Sequence, residues 1–146
     1  MDFVVTLHIF GLVLFIWSIL NILISVISRK GKLPKGSIAF FYWEMNGLWN
    51  VINLLIVITS TVLLLIFNGE VSNSLSVQSI ISFVIAINVA LDVGYICFGY
   101  WLKRGKKKHL KTPSSRQIGY GKSLIVQGLF LLCFDAILSQ TLFWLT

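Results

Sequence analysis

Apolar residues fall into four long runs, at about 3–28, 38–67, 77–102 and 119–145, separated by short polar stretches. Each run exceeds the roughly 20 residues that a helix needs to cross the hydrocarbon of a bilayer. The pattern predicts an all-α membrane protein, a four-transmembrane-helix bundle that takes up residues 1–146 as a single domain. The first run does not read as a cleavable signal peptide. It is too long, lacks a basic start and has no small-x-small cleavage site.

Composition strengthens this reading. The chain is 57% hydrophobic and 12% charged, where a soluble domain carries about a quarter charged residues. A chain of 146 residues cannot hide so much apolar surface inside itself, so lipid is its expected solvent. A net charge of +7 is of the kind nucleic-acid binders carry, but the placement of the charges argues against that partner. Arg29, Lys30, Lys32 and Lys35 lie between runs one and two. Lys103, Arg104, Lys106, Lys107, Lys108, Lys111 and Arg116 lie between runs three and four, with Lys122 one turn further on. These are all twelve Lys and Arg residues, and the linker 68–76 has none. The positive-inside rule then places both basic loops in the cytoplasm and both termini outside the cell membrane. Lys103, Arg104, Lys106, Lys107 and Lys108 are candidates for contact with anionic lipid head groups. No basic patch with interleaved aromatics stands outside the bilayer, so no nucleic-acid partner is expected.

Chain breakers fit the same scheme. Pro34 and Gly36 fall in the first basic loop, and Ser37 is placed to cap the second helix. Pro113, Ser114 and Ser115 precede the fourth run, and Asn68-Gly69 closes the second.

Polarity inside the runs is the informative feature. Three of the five acidic residues, Glu44, Asp92 and Asp135, lie within them, and no Lys or Arg sits deep enough to neutralise them. Charged groups at that depth are costly and mark functional sites. In span two, Trp43, Asn46, Asn50 and Asn53 are spaced 3, 4 and 3 apart and share one helical face. In span three, Asn88, Asp92, Tyr95 and Gly99 form a similar face, while Ser82, Ala86, Ala90 and Gly94 form a ridge of small residues on another. Such ridges let helices approach closely. The ridge is the expected homo-oligomer contact, and two patterned faces predict span three as the central helix. Span one offers Ser18, Asn21, Ser25 and Ser28, and span four Tyr120, Gln127, Gly128 and Asp135.

At 1.5 Å per residue, Asn21, Asn46, Tyr95 and Gln127 lie roughly 10–13 Å from the basic boundary, and Asn50 and Asp92 roughly 16 Å. All four helices thus bring polar groups to one level. The expected site comprises Asn21, Asn46, Asn50, Asn53, Asn88, Asp92, Tyr95, Gln127 and Asp135, and opens toward the cytoplasm, with Trp49 as a further lining residue. The competing explanation is structural, since amides between helices are ordinary membrane glue worth about 0.6 kcal/mol each. Glu44, nearer the boundary, is expected to meet a loop lysine or solvent. Trp101, Tyr120 and Trp144 suit the interfacial belts.

No metal or cofactor is expected. Cys97 and Cys133 have no CxxC partner. The stretch Gly119-Tyr-Gly-Lys-Ser123 ends like a phosphate-binding loop, but Arg116 stands where that motif needs glycine. It reads instead as a closely packed helix start. Three functions remain: ion- or proton-linked transport or permeation of a small solute, a non-catalytic membrane partner or structural subunit, and an enzyme acting on a lipid-soluble substrate. The catalytic residues of such an enzyme are not evident.

The motifs Trp49-Asn50-x-x-Asn53, Leu91-Asp92-Val-Gly94-Tyr95, and Gly119-Tyr-Gly121 with Gln127-Gly128 and Asp135 resemble those of a family of small bacterial four-span membrane proteins of unknown function. The resemblance covers spans two to four. It implies that these residues define the family, and it brings no activity, substrate or cofactor.

Overall fold

A computed structural model of the chain describes residues 3–31, 33–66, 75–104 and 113–144. These form four helices: α1 (Phe3–Gly31), α2 (Ile38–Ile66), α3 (Leu75–Arg104) and α4 (Ser115–Phe143). No strand occurs among the described residues. Each helix is long and apolar enough to cross a membrane. The helices outrun the apolar runs at their basic ends, where Arg29, Lys30, Lys103 and Arg104 occupy the last turns of α1 and α3. Cations are favourable at helix C-termini, so the basic flanks extend the helices rather than end them.

Local signals account for the helix starts. Pro34 to Ser37 make a tight turn closed by Ser37 N–H donating to the Pro34 carbonyl at 3.1 Å. Gly36 sits at φ 85° in that turn, a conformation that favours glycine. The Ser37 hydroxyl then accepts from Phe40 N–H at 3.1 Å, as expected of the cap. At α4, Ser114 and Gln117 form a reciprocal capping box, which starts the helix four residues ahead of the apolar run. The Ser-x-x-Gln spacing carries this signal in the sequence. Asn68-Gly69 lies outside the described residues.

The bundle is polar inside and apolar outside. Among the described residues, ten buried side chains are polar or charged and seven are hydrophobic. Leu65, Phe83 and Phe143 are all more than 60% exposed. A soluble protein shows the reverse, so the arrangement fits lipid as the outer solvent. The chain is a multi-pass membrane protein. The buried apolar core lies at the end away from the basic residues, where Phe3, Val4, Ile85, Leu138 and Leu142 cluster. Leu64 of α2 packs against it.

The central helix is α4, not α3 as its two patterned faces suggested. α4 packs extensively on α3 and on α2, and α1 packs chiefly on α2. Among the described residues, the extensive packing of α3 is with α4. Its ridge of Ser82, Ala86, Ala90 and Gly94 is fully outward-facing. The reason lies in the α4 glycines. A Cβ on Gly121 would fall 2.6 Å from the Gly99 carbonyl oxygen, and one on Gly99 would fall 2.7 Å from that of Gly121. A Cβ on Gly128 would lie 3.0 Å from the Asp92 carbonyl oxygen, and one on Gly119 would lie 2.6 Å from that of Ile38. α4 therefore meets α3 and α2 backbone to backbone. Between α1 and α4 the spacing is wider, and rings fill it: Trp17 stacks on Phe130 at 3.8 Å and Phe10 meets Phe134 edge-on at 5.3 Å.

Gly121→Ala should force α3 and α4 apart and cost about 1–3 kcal/mol, the usual penalty of overpacking. Gly11→Ala meets nothing within 4 Å and should leave stability unchanged. Thermal unfolding of the two variants in the same detergent checks the contrast.

Candidate functional site

The polar residues gather into two adjoining groups rather than one. The first is an amide chain across α1, α2 and α4 with Asn46 at its centre. Asn46, fully buried, donates through Nδ2 to Asn21 Oδ1 at 2.8 Å. Its Oδ1 accepts from Gln127 Nε2 in a short contact. Its backbone carbonyl accepts from Asn50 Nδ2 at 2.7 Å. Asn21 in turn donates to the Trp17 carbonyl at 2.9 Å. Nearby, the Ser25 hydroxyl donates to the Trp43 carbonyl at 2.6 Å, and its side chain lies where a Cβ on Gly47 would go. Three helices are thus tied at the depth where the asparagine spacing placed them.

The second group surrounds a cavity of about 110 Å³, room for a few water-sized molecules. Asn53 and Trp49 of α2, Asn88, Asp92 and Tyr95 of α3, and Asp135 of α4 supply its polar and aromatic wall. Leu14 of α1 and Leu131 of α4 are among its apolar lining. Trp49 and Tyr95 touch across it, ring centroids 4.9 Å apart, and join α2 to α3 where their backbones stay separate. Asp92 and Asp135 are 3% and 8% exposed. Both line the cavity, one from α3 and one from α4. Among the described residues no Lys, Arg or His lines it. Asn88 is exposed on α3 and stands at the rim.

Several polar atoms around both groups are buried with no hydrogen-bond partner among the described residues. They include Asn53 Nδ2, Asp92 Oδ2 and Trp49 Nε1 at the cavity, and Asn50 Oδ1 and Gln127 Oε1 beside the amide chain. An unsatisfied buried group costs about 1–3 kcal/mol. Among the described residues the amide chain leaves two acceptors to spare, Asn50 Oδ1 and Gln127 Oε1, and the cavity wall leaves two donors and an acceptor.

Glu44 lies apart from both groups, at the basic end. It pairs with Arg29 at 3.4 Å and accepts from the Tyr120 hydroxyl at 2.6 Å. Arg116 covers the Tyr120 ring at 5.1 Å. Tyr120 therefore joins α4 to α2, beyond its expected interfacial role. This pairing was hidden because its partners are 76 positions apart, and only their similar depth hints at it. Of the basic candidates, Lys103 lies over the Tyr100 ring at 5.5 Å and Arg104 is exposed. Lys106, Lys107 and Lys108 lie outside the described residues.

The fold and site thus define a four-helix membrane bundle with a polar interior and two facing carboxyls. By its sequence the chain belongs to a family of unknown function (DUF6992), whose model matches residues 13–136. The match begins within α1 and so takes in more than the expected spans two to four. Comparison with curated proteins and with solved structures finds no match.

The amide chain should behave as one unit. In a double-mutant cycle, Asn46→Ala and Gln127→Ala should each lower stability in detergent. Their coupling should be about 0.5–2 kcal/mol, toward the upper end of interhelical hydrogen bonds. Additive effects would show that the contact contributes nothing.

Proposed function

We propose that the protein carries out ion- or proton-linked transport or permeation of a small solute through the intramembrane site around Asp92. One observation carries this reading: two buried carboxyls, Asp92 and Asp135, line one small cavity that no cationic side chain among the described residues lines. Two carboxylates in a low-dielectric site repel each other unless a proton or a cation comes between them. Filling and emptying such a pair takes up and releases one unit of charge. A carboxyl pair is also a costly way to glue helices together. Asn53, Asn88, Tyr95 and Trp49 line the same space and are suited to hold a small polar guest.

Four helices rarely enclose a path alone. The outward ridge of Ser82, Ala86, Ala90 and Gly94 is suited to a second copy. The alternative reading, a membrane partner or structural subunit, draws support from the amide chain, which ties three helices together. It leaves the carboxyl pair without a purpose.

Reconstituted in liposomes loaded with a pH-sensitive dye, the wild-type protein should dissipate an imposed proton gradient faster than empty liposomes. Asp92→Asn should reduce the rate to that of empty liposomes, and Asp135→Asn should slow it. Flux unchanged in Asp92→Asn would sink the proposal.

In a cell, we place the basic end in the cytoplasm and both termini outside, on the strength of the charge asymmetry. A C-terminal reporter that is active only outside the cytoplasm should therefore be active. Activity only of a cytoplasmic reporter at that position would reverse the orientation.

A further inference from the structure

Two hollows at the basic end of the α1–α2 hairpin adjoin one another, sharing Val26 and Arg29. The first, about 330 Å³, is lined by Val26, Arg29, Lys30, Lys35 and Phe40. The second, about 430 Å³, runs further along the helices. Its walls include Ile22 on α1 and Leu48 and Val51 on α2.

The two parts differ in chemistry. The first has three cations and no carboxylate. Lys30 and Lys35 are exposed. Arg29 stands at the junction, held by Glu44 at 3.4 Å and lying over the Phe40 ring at 5.2 Å. Glu44 is the one acidic residue of the second part, and it is occupied by Arg29 and Tyr120. Against three cations, one carboxylate leaves a net charge of +2 at the groove mouth. Away from the mouth the walls become aliphatic, and Val26, Leu48 and Val51 are all more than 40% exposed. From Arg29 to Ile22, and from Glu44 to Val51, each helix advances seven residues, roughly 10 Å toward the bilayer middle. That covers about two thirds of one leaflet's hydrocarbon depth.

A cationic mouth at the membrane surface, adjoining an aliphatic trough roughly 10 Å long, matches one kind of ligand. We propose that this groove binds the anionic head group of a phospholipid at Arg29, Lys30 and Lys35, with one acyl chain lying along Ile22, Val26, Leu48 and Val51. A zwitterionic lipid fits less well, because its own ammonium group would face the three cations. Free phosphate would use the mouth and leave the trough without a partner. The site is separate from the carboxyl cavity and independent of its function. Lys103 and Arg104, in the last turn of α3, are not among its lining residues.

The test uses the full-length protein in mild detergent, titrated with phosphatidylglycerol, phosphatidylcholine or inorganic phosphate. Retained lipid is counted by native mass spectrometry, and thermal unfolding is followed in parallel. Phosphatidylglycerol should be retained at one molecule per chain, with about tenfold preference over phosphatidylcholine, and inorganic phosphate should not compete. Lys30→Gln with Lys35→Gln should abolish the preference. These side chains are exposed, so their loss should leave the unliganded midpoint unchanged. Lys103→Gln with Arg104→Gln should leave the preference intact. Equal loss in both double variants, or none in the first, would show diffuse attraction to a basic surface and overturn the site. Competition by inorganic phosphate would overturn the lipid assignment.

Discussion

Everything in this bundle depends on how closely α4 can approach its neighbours. Gly121 of α4 meets Gly99 of α3 with no room for a Cβ on either, and Gly119 and Gly128 make similar approaches to α2 and α3. In lipid, where apolar side chains gain little by leaving one hydrocarbon for another, helices associate by packing and by interhelical hydrogen bonds. Glycine contacts provide the packing and thereby set the distance at which the hydrogen bonds form. Gln127 reaches Asn46, and Asp135 lines one cavity with Asp92, because α4 lies that near to α2 and α3.

The consequence is a bundle with two kinds of interior. At the end away from the basic residues, Phe3, Val4, Ile85, Leu138 and Leu142 pack into an apolar core. Toward the basic end the core gives way to amides, carboxyls and ring contacts. The amide chain through Asn46 ties α1, α2 and α4 together, while α3 is held by α4 and by the Trp49–Tyr95 contact. This asymmetry leaves α2 and α3 apart along their backbones, and the cavity with its carboxyl pair occupies the space between them. A tighter four-way bundle would have filled it.

Much of this was legible in the chain. Length and hydropathy are local properties, so four membrane helices followed directly. The spacing of Asn46, Asn50 and Asn53 put them on one inward face because a lipid-facing amide would lose its hydrogen bonds. Rise per residue placed Asn21, Asn46 and Gln127 at one level, where they bond. The ridge of small residues on α3 misled as to the central helix, because a small-residue pattern shows that a helix can be approached closely and not which helix does so.

The sequence by itself determined the solvent, the number and bounds of the helices to within a few residues, and the set of polar side chains that had to avoid lipid. Only the tertiary structure decided which helix lies at the centre, that the polar set divides into a bonded amide chain and a carboxyl-lined cavity, and that Glu44 pairs with Arg29 and Tyr120. The physical reason is that depth along a helix follows from counting residues, whereas neighbour identity depends on backbone-to-backbone fit. That fit rests on glycines whose partners are far away in the chain, as Gly99 and Gly121 are on two different helices.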